Sequence, residues 1–156
     1  MSTPAPDVAN LGLIRPPFVY LGSIGLGLIV HYFWPAHWLP TSVGVPIGIA
    51  LVLAAAAVFI SAVRTLRKAG TPVPGNRPTT TIVRAGAFRI SRNPIYLAFT
   101  LLQLGLAAWI NSLAVLLTLV PALALMVVVI GREERYLEAR FPFEYLAYKR
   151  TVRRWL

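Results

Sequence analysis

The apolar positions of the chain gather into four long stretches rather than into an alternating or one-sided pattern. A helix that crosses a membrane needs about 20 predominantly apolar residues, with a range of roughly 17 to 25. None of the four stretches contains Lys, Arg, Asp or Glu. The pattern therefore predicts an all-α integral membrane protein with four transmembrane helices, at residues 18–34, 43–63, 94–110 and 113–130.

The polar residues between these stretches predict how the helices connect. Only Asn111 and Ser112 separate the last two stretches, which indicates a tight helical hairpin. Residues 64–93 contain several prolines and glycines, so they are predicted to be a loop rather than one continuous helix. Residues 131–156 are predicted to be a helical segment that Pro142 interrupts.

The chain is predicted to be one membrane-embedded domain over residues 1–156. Residues 1–14 contain two prolines and an aspartate but no basic cluster, so they are expected to be a flexible lead and not a signal peptide. The chain has no cysteine and only two histidines. This composition excludes a disulfide framework and a thiolate metal site, and no metal site is expected.

The charged residues predict how the helices are oriented in the membrane. The chain is 57% hydrophobic and 13% charged, yet its formal net charge is +10. All 15 Lys and Arg lie before the first stretch, in residues 64–93 or in residues 131–156. By the positive-inside rule, both termini and both of these segments face the cytoplasm, most simply at a bacterial inner membrane. The cations therefore indicate contact with anionic membrane lipids and not with nucleic acid.

The loop at residues 64–93 ends in a motif that has two interpretations, Ser91-Arg92-Asn93-Pro94. Asn93 as N-cap and Pro94 as the first helical residue make an ordinary helix start. The start of a buried helix also presents free N–H groups, and with Arg92 beside them they suit a carboxylate or a phosphate. Tyr96 would point into the bundle from the first turn. Spacing alone leaves both interpretations open.

The second segment holds four of the five acidic residues. Glu133 and Glu134 follow the last apolar stretch closely, where carboxylates are costly unless a cation meets them. A local ion pair with Arg135 is one solution. The other is a ligand site, because Glu134 shares a helical stripe with aromatic side chains that suit an organic cation. Since Pro142 interrupts the helix, the stripe is expected on two helices folded toward one pocket; its members are Glu134, Phe141, Tyr145, Tyr148 and Val152.

Together, the two segments resemble the isoprenylcysteine carboxyl methyltransferase and phospholipid methyltransferase group of membrane enzymes. The likeness covers about residues 66–156 and consists of a Gly-aromatic turn, an Arg-Asn-Pro-x-Tyr helix start, a Glu pair, two tyrosines and a basic end. No single piece is specific, but their order and spacing across a membrane hairpin are. In this chain they are Gly86-Ala87-Phe88, Arg92-Asn93-Pro94-Ile95-Tyr96, Glu133-Glu134-Arg135-Tyr136-Leu137, Tyr145-Leu146-Ala147-Tyr148 and Val152-Arg153-Arg154-Trp155.

The resemblance implies S-adenosylmethionine as the methyl donor and S-adenosylhomocysteine as its product, with residues 66–156 as the cofactor-binding core. Three departures leave the substrate open: Asn93 replaces a common histidine, and Ala98 and Pro142 replace glycines. The residues that the resemblance assigns to the cofactor are Gly86, Arg92, Asn93, Pro94, Tyr96, Glu133, Glu134, Tyr145 and Tyr148.

The expected reaction is methyl transfer to a lipophilic, isoprenylcysteine-carboxylate-like acceptor that enters from the bilayer. For such an acceptor Arg89 or Arg153 is the candidate that orients the carboxylate. A phospholipid amine or a thiol is the alternative acceptor, and Glu134 or Tyr96 would then take its proton. The catalytic candidates are therefore Glu134, Tyr96 and Arg153.

Two other classes of function remain open at this point. A non-enzymatic membrane scaffold or transport accessory predicts that the Arg92 and Glu133/Glu134 segments make only internal salt bridges, with no pocket between them. Membrane sterol reductases, which use a nicotinamide cofactor, share the carboxy-terminal scaffold but are much longer. The small residues Gly25, Gly44 and Gly48 permit close helix packing within one chain or in a dimer, so the oligomeric state is not predicted.

Overall fold

The computed structural model describes residues 15–72 and 78–156, and both ranges are helical apart from their connections. No strand occurs in them, so the all-α prediction is confirmed. The lead predicted at residues 1–14 lies outside the described residues. The helices are α1 (Pro16–Phe33), α2 (Thr41–Lys68), α3 (Pro94–Trp109), α4 (Leu113–Arg140) and α5 (Pro142–Thr151), with a 3₁₀ turn at Gly86–Arg89 before α3.

Three of the helices, α1, α2 and α4, are long and apolar enough to cross a membrane. The fourth predicted span, α3, is apolar but has 16 residues, which at 1.5 Å per residue gives about 24 Å. These helices are those of an integral membrane protein, as the hydrophobic pattern predicted.

Two helices run further than their apolar stretches, which corrects the predicted bounds. α2 continues to Lys68 and α4 continues to Arg140. Glu133 and Glu134 therefore belong to α4 and not to a separate segment at residues 131–156. The helix continues because backbone hydrogen bonds do not depend on whether the side chains are apolar or charged. α4 ends at Arg140, and its C-cap is Phe141. Phe141 precedes Pro142, and a proline disfavours helical backbone in the residue before it. The predicted interruption at Pro142 is confirmed.

The predicted hairpin between α3 and α4 is also confirmed. Asn111 adopts a left-handed conformation with φ 54°, and Ser112 caps α4 by accepting a hydrogen bond from the Val115 amide at 3.2 Å. The Asn111 side chain also holds the connection between α1 and α2. Its Oδ1 accepts hydrogen bonds from the amides of Trp38 and Leu39, and its Nδ2 donates to the Leu39 carbonyl.

The 16-residue helix α3 lies at the centre of the bundle and contacts α1, α2 and α4. α2 approaches it closely through Gly48, where a Cβ would lie only 2.5 Å from the Trp109 amide nitrogen. On the other side, Tyr96 of α3 packs in a core cluster with Tyr20 of α1 and Met126 of α4. A second cluster joins Phe88 of the 3₁₀ turn to α2 and α5. This packing brings the start of α3 beside the carboxylates of α4.

Candidate functional site

A cavity of about 410 Å³ opens where α1 and α3 begin, α2 ends and α4 meets α5. Every residue that the resemblance assigned to the cofactor lines it, except Gly86. Arg15, directly before α1, and Phe18, in its first turn, also line the cavity. Sequence reasoning missed both. Much of the remaining wall is apolar and consists of Leu66, Ile82, Val83, Phe88, Ile95 and Leu137.

The hydrogen-bond partner of Glu133 is a neutral side chain, the phenol of Tyr96. The Tyr96 hydroxyl donates a hydrogen bond to Glu133 Oε1 at 2.6 Å, and both residues are buried. This bond joins the first turn of α3 to the end of the apolar part of α4. A buried carboxylate needs such a donor, because burial without one would leave its charge uncompensated.

Glu134 is buried between two arginines. Arg92 Nη2 lies 2.9 Å from Glu134 Oε1, and Arg154 Nη2 lies 2.6 Å from Glu134 Oε2. The local ion pair with Arg135 that the sequence allowed is therefore wrong. Adjacent residues on a helix point in different directions, and the Arg135 side chain is exposed.

The other local pair that the sequence allowed, Glu138 with Arg135, is replaced as well. Glu138 binds Lys149 of α5, and both of these side chains are about one third exposed. Glu134 and Glu138 thus both take their cations from outside α4.

Arg92 lines the cavity and has donor capacity left. Its side chain is 8% exposed, and its Nη1 donates to the Lys149 carbonyl at 3.2 Å. Its Nε is buried and has no hydrogen-bond partner among the described residues. A buried donor without a partner is costly, so the Arg92 guanidinium is suited to an anionic group of a ligand in the cavity.

Asn93 occupies the N-cap position of α3, but its side chain does not cap the helix. Its Nδ2 donates instead to the Arg154 carbonyl at 3.2 Å. The Ser91 hydroxyl donates to the same carbonyl at 3.0 Å, and the Arg92 amide donates to the Arg153 carbonyl at 3.0 Å. The interpretation of Asn93 as an ordinary capping residue is therefore wrong: it ties the chain after α5 to the start of α3.

Tyr145 and Tyr148 form one wall of the cavity from α5, with ring centroids 6.2 Å apart. The Tyr148 hydroxyl donates to the Phe88 carbonyl at 2.6 Å. Burial raises the pKa of the Tyr148 phenol to about 12 and also raises the pKa of Tyr145. Both phenols therefore stay protonated at neutral pH and act as hydrogen-bond donors or aromatic surfaces.

Three of the predicted site residues lie outside the cavity. Gly86 has φ +56°, and a Cβ there would lie 2.4 Å from Thr65 Oγ1, so this glycine closes the 3₁₀ turn against α2. The side chains of Arg89 and Arg153 are exposed. Arg153 contributes only its backbone carbonyl to the region, through the bond from the Arg92 amide.

Sequence reasoning also missed Arg154. Its hydrogen bond to Glu134 raises the pKa of its guanidinium, so this cation is permanent. Its only signal in the sequence is its place in the basic end that follows the two tyrosines. That signal does not distinguish Arg154 from its neighbour Arg153.

The cavity bears on the choice between a ligand site and a scaffold. A scaffold predicts internal ion pairs and no pocket between the Arg92 and Glu133/Glu134 segments. The ion pairs are present, but so is a cavity that both segments line. This combination favours a ligand site.

Comparison with known proteins identifies the family to which the chain belongs. A family model described as Phospholipid methyltransferase matches residues 43–143. An uncharacterized protein of Haemophilus influenzae is 44% identical over 63 residues, which are 40% of this chain and all of that protein. The cobalt-zinc-cadmium resistance protein CzcN of Cupriavidus metallidurans is 41% identical over 77 residues, which are 49% of this chain and 35% of that protein. No solved structure matches. Because the family model covers most of its length, the chain belongs to the phospholipid methyltransferase family, a family of methyltransferases.

Proposed function

We propose that the chain is an integral membrane methyltransferase that uses S-adenosylmethionine and methylates a lipophilic acceptor at the cytoplasmic face. The observation that carries this proposal is the cavity, which joins the buried Arg92 to Glu133 and to the tyrosines of α5. Its volume of about 410 Å³ lies within the range of roughly 300–1,000 Å³ that is typical of small-molecule sites.

The residues of the cavity fit the two charged ends of an amino acid moiety. Arg92, whose Nε has no partner among the described residues, is the donor for the carboxylate. Glu134 already meets two guanidinium groups, so this cluster carries an excess positive charge. Within the described part of the chain, Glu133 has only the Tyr96 phenol as partner and is the better acceptor for the ammonium group. We therefore assign to Glu133 the cation-binding role that the sequence suggested for Glu134.

When bound, S-adenosylmethionine supplies a methyl group on a sulfonium, and the protein positions this group and excludes water. The faces of Tyr145 and Tyr148 suit the cation, since aromatic rings attract cations at their faces. In methyl transfer, the acceptor's lone pair would form the new bond to that methyl as the bond from sulfur to methyl breaks. Arg92, Glu133 and the two tyrosines would hold the donor so that the methyl group faces the acceptor.

The acceptor decides whether a proton must move. A carboxylate acceptor becomes a methyl ester and loses no proton. An amine or a thiol must lose one, and the buried Glu133 carboxylate is then the best acceptor, because the Tyr96 phenol is itself protonated and donates to it. Glu134 is a poorer base, because two guanidinium groups stabilise its carboxylate form. An isoprenylcysteine-like carboxylate is the acceptor we propose, and the apolar wall of the cavity supports a lipophilic one.

Binding of S-adenosylhomocysteine to the detergent-solubilised protein is the primary test. Isothermal titration should give saturable binding with one site per chain. The absence of any binding at millimolar concentration would overturn the proposed function.

The class of acceptor is tested with membranes and methyl-labelled S-adenosylmethionine. A methyl ester releases its label as volatile methanol on treatment with alkali, whereas a methyl group on nitrogen or sulfur stays in a non-volatile product, even when alkali also cleaves the acyl esters of the lipid. Volatile label supports the carboxylate acceptor. Label that stays non-volatile supports the phospholipid amine or thiol instead.

We further propose that the four helices α1 to α4 all cross the bilayer, with both termini in the cytoplasm of a bacterial cell. The chain has no cysteine, so single cysteines can report the side of the membrane. In intact cells, a membrane-impermeant maleimide should label His37→Cys, in the connection between α1 and α2, and not Arg150→Cys of α5. The reverse pattern would invert the orientation.

A further inference from the structure

We infer that Arg154 is a positioning residue of the cofactor site, which holds Glu134 in place from outside the cavity. This inference rests on the proposed function. Sequence reasoning assigned no role to Arg154, and it chose the adjacent Arg153 as a candidate instead.

The contacts of Glu134 divide unequally between its two arginines. Arg92 reaches a single oxygen, with its Nη2 at 2.9 Å from Oε1. Arg154 spans the carboxylate, with its Nη2 at 2.6 Å from Oε2 and its Nε at 3.3 Å from Oε1. A guanidinium that meets both oxygens fixes the plane of a carboxylate, which a single contact does not.

The two arginines approach Glu134 from different sides. Arg92 and Glu134 line the cavity, whereas Arg154 does not. The Arg154 side chain is 38% exposed and that of Arg92 is 8% exposed. Arg154 therefore leaves the space for a ligand free and does not compete with it.

The backbone around Arg154 is held independently of its guanidinium. Its carbonyl accepts hydrogen bonds from Ser91 Oγ and Asn93 Nδ2, and the Arg153 carbonyl accepts one from the Arg92 amide. Removing the charged end of Arg154 therefore leaves residues 152–156 beside α3. The change acts on the Glu134 carboxylate and, through it, on Arg92.

The consequence is confined to one end of the ligand. Without Arg154, Glu134 keeps one contact to one oxygen, so both the carboxylate and the Arg92 guanidinium gain freedom. Arg92 is the donor that we assign to the carboxylate of the amino acid moiety. Binding of that moiety should weaken, and binding of the adenosine part should not.

The test compares two ligands by isothermal titration in detergent. S-adenosylhomocysteine carries the amino acid moiety, and 5′-methylthioadenosine lacks it. Arg154→Gln should weaken S-adenosylhomocysteine binding at least tenfold, about 1.4 kcal/mol, and change 5′-methylthioadenosine binding less than twofold. Arg154→Lys should restore part of the loss, because an ammonium keeps the charge but not the fork.

Arg150→Gln is the matched control. Arg150 is exposed on α5, and its variant removes the same charge near the same surface, so both affinities should stay at the wild-type values. Wild-type affinity of Arg154→Gln for S-adenosylhomocysteine would overturn the inference and leave the proposed function intact. Equal weakening of both ligands would also overturn it, because that result indicates general damage to the fold. If the wild-type protein binds neither ligand, the proposed function itself fails.

Discussion

Two buried polar side chains at opposite ends of the helix bundle are used in different ways. At the hairpin end, both polar atoms of the Asn111 side chain are bonded to the backbone of the connection between α1 and α2. At the cavity end, Arg92 is equally buried, but its Nε has no hydrogen-bond partner among the residues that the structure describes. Asn111 is fully used in holding the fold together, whereas Arg92 keeps a donor available. The difference distinguishes a residue that stabilises the bundle from one that is ready to bind a ligand.

The largest effect on stability is expected at the hairpin end. Asn111→Ala removes three hydrogen bonds, at roughly 1 kcal/mol each, and places a Cβ residue without a local partner at positive φ. We expect the free energy of unfolding in detergent to fall by about 2–4 kcal/mol, while S-adenosylhomocysteine affinity of the folded protein stays unchanged.

Asn111→Gly separates the two causes, because glycine adopts φ 54° without strain but makes none of the bonds. It should recover only a minor part of the loss. Full recovery would mean that the side-chain bonds contribute little and that strain is the main cause.

Glu134→Gln is expected to have the largest effect on binding. The neutral amide leaves two arginines without their counter-charge, so the geometry of Arg92 changes. We expect S-adenosylhomocysteine affinity to fall at least tenfold, about 1.4 kcal/mol. Glu138→Gln serves as the control, since it breaks only the partly exposed pair with Lys149, and such pairs contribute little. Similar titrations for the two variants would contradict the assigned role of Glu134.

Tyr96→Phe should have a smaller effect of a different kind. It keeps the ring in the core but removes the hydrogen bond to Glu133, which should lower stability by about 1 kcal/mol. Thermal unfolding in detergent measures the change. Tyr32→Phe is the control, because Tyr32 is 82% exposed. An equal shift in melting temperature for both variants would show that the buried bond adds no stability.

The smallest effect is expected for Arg89→Gln and Arg153→Gln. Both side chains are exposed and lie outside the cavity, so S-adenosylhomocysteine affinity should change less than twofold. A role of Arg89 or Arg153 in orienting the acceptor would change only the rate of methyl transfer. A tenfold loss of binding in either variant would require its side chain to reach the pocket.

The helices, and the convergence of the Arg92–Tyr96 and Glu133/Glu134 segments on one cavity, were predictable from the sequence, because both depend on patterns within short segments. The apolar stretches predicted α1 to α4, and Pro142 predicted the break before α5. The ordered motifs brought Tyr96, Glu133 and Tyr148 to one pocket. The ends of α2 and α4 were not predictable, because a helix continues past its apolar residues until a breaker stops it.

The partner of Glu134 was not predictable for a different reason. Arg92 comes from the residues before α3 and Arg154 from those after α5, whereas sequence spacing relates only residues three or four apart on the same helix. The choice between Arg153 and Arg154 depends on the backbone after α5, where Val152 is extended. Successive side chains in extended backbone point to opposite sides, so only one of two identical neighbours meets the carboxylate.

The course of α4 from Leu113 to Arg140 sets the depth of the proposed methyl transfer. Since Glu133 follows Ile130 by three residues on the same helix, it lies about 4.5 Å further along the axis than the last residue of the apolar stretch. If the acceptor is a lipid, as proposed, it must present its reacting atom at this height, near the boundary between hydrocarbon and headgroups. The membrane itself would then take part in the selection, because lipids whose reactive group lies deeper or further out do not align with the proposed donor site.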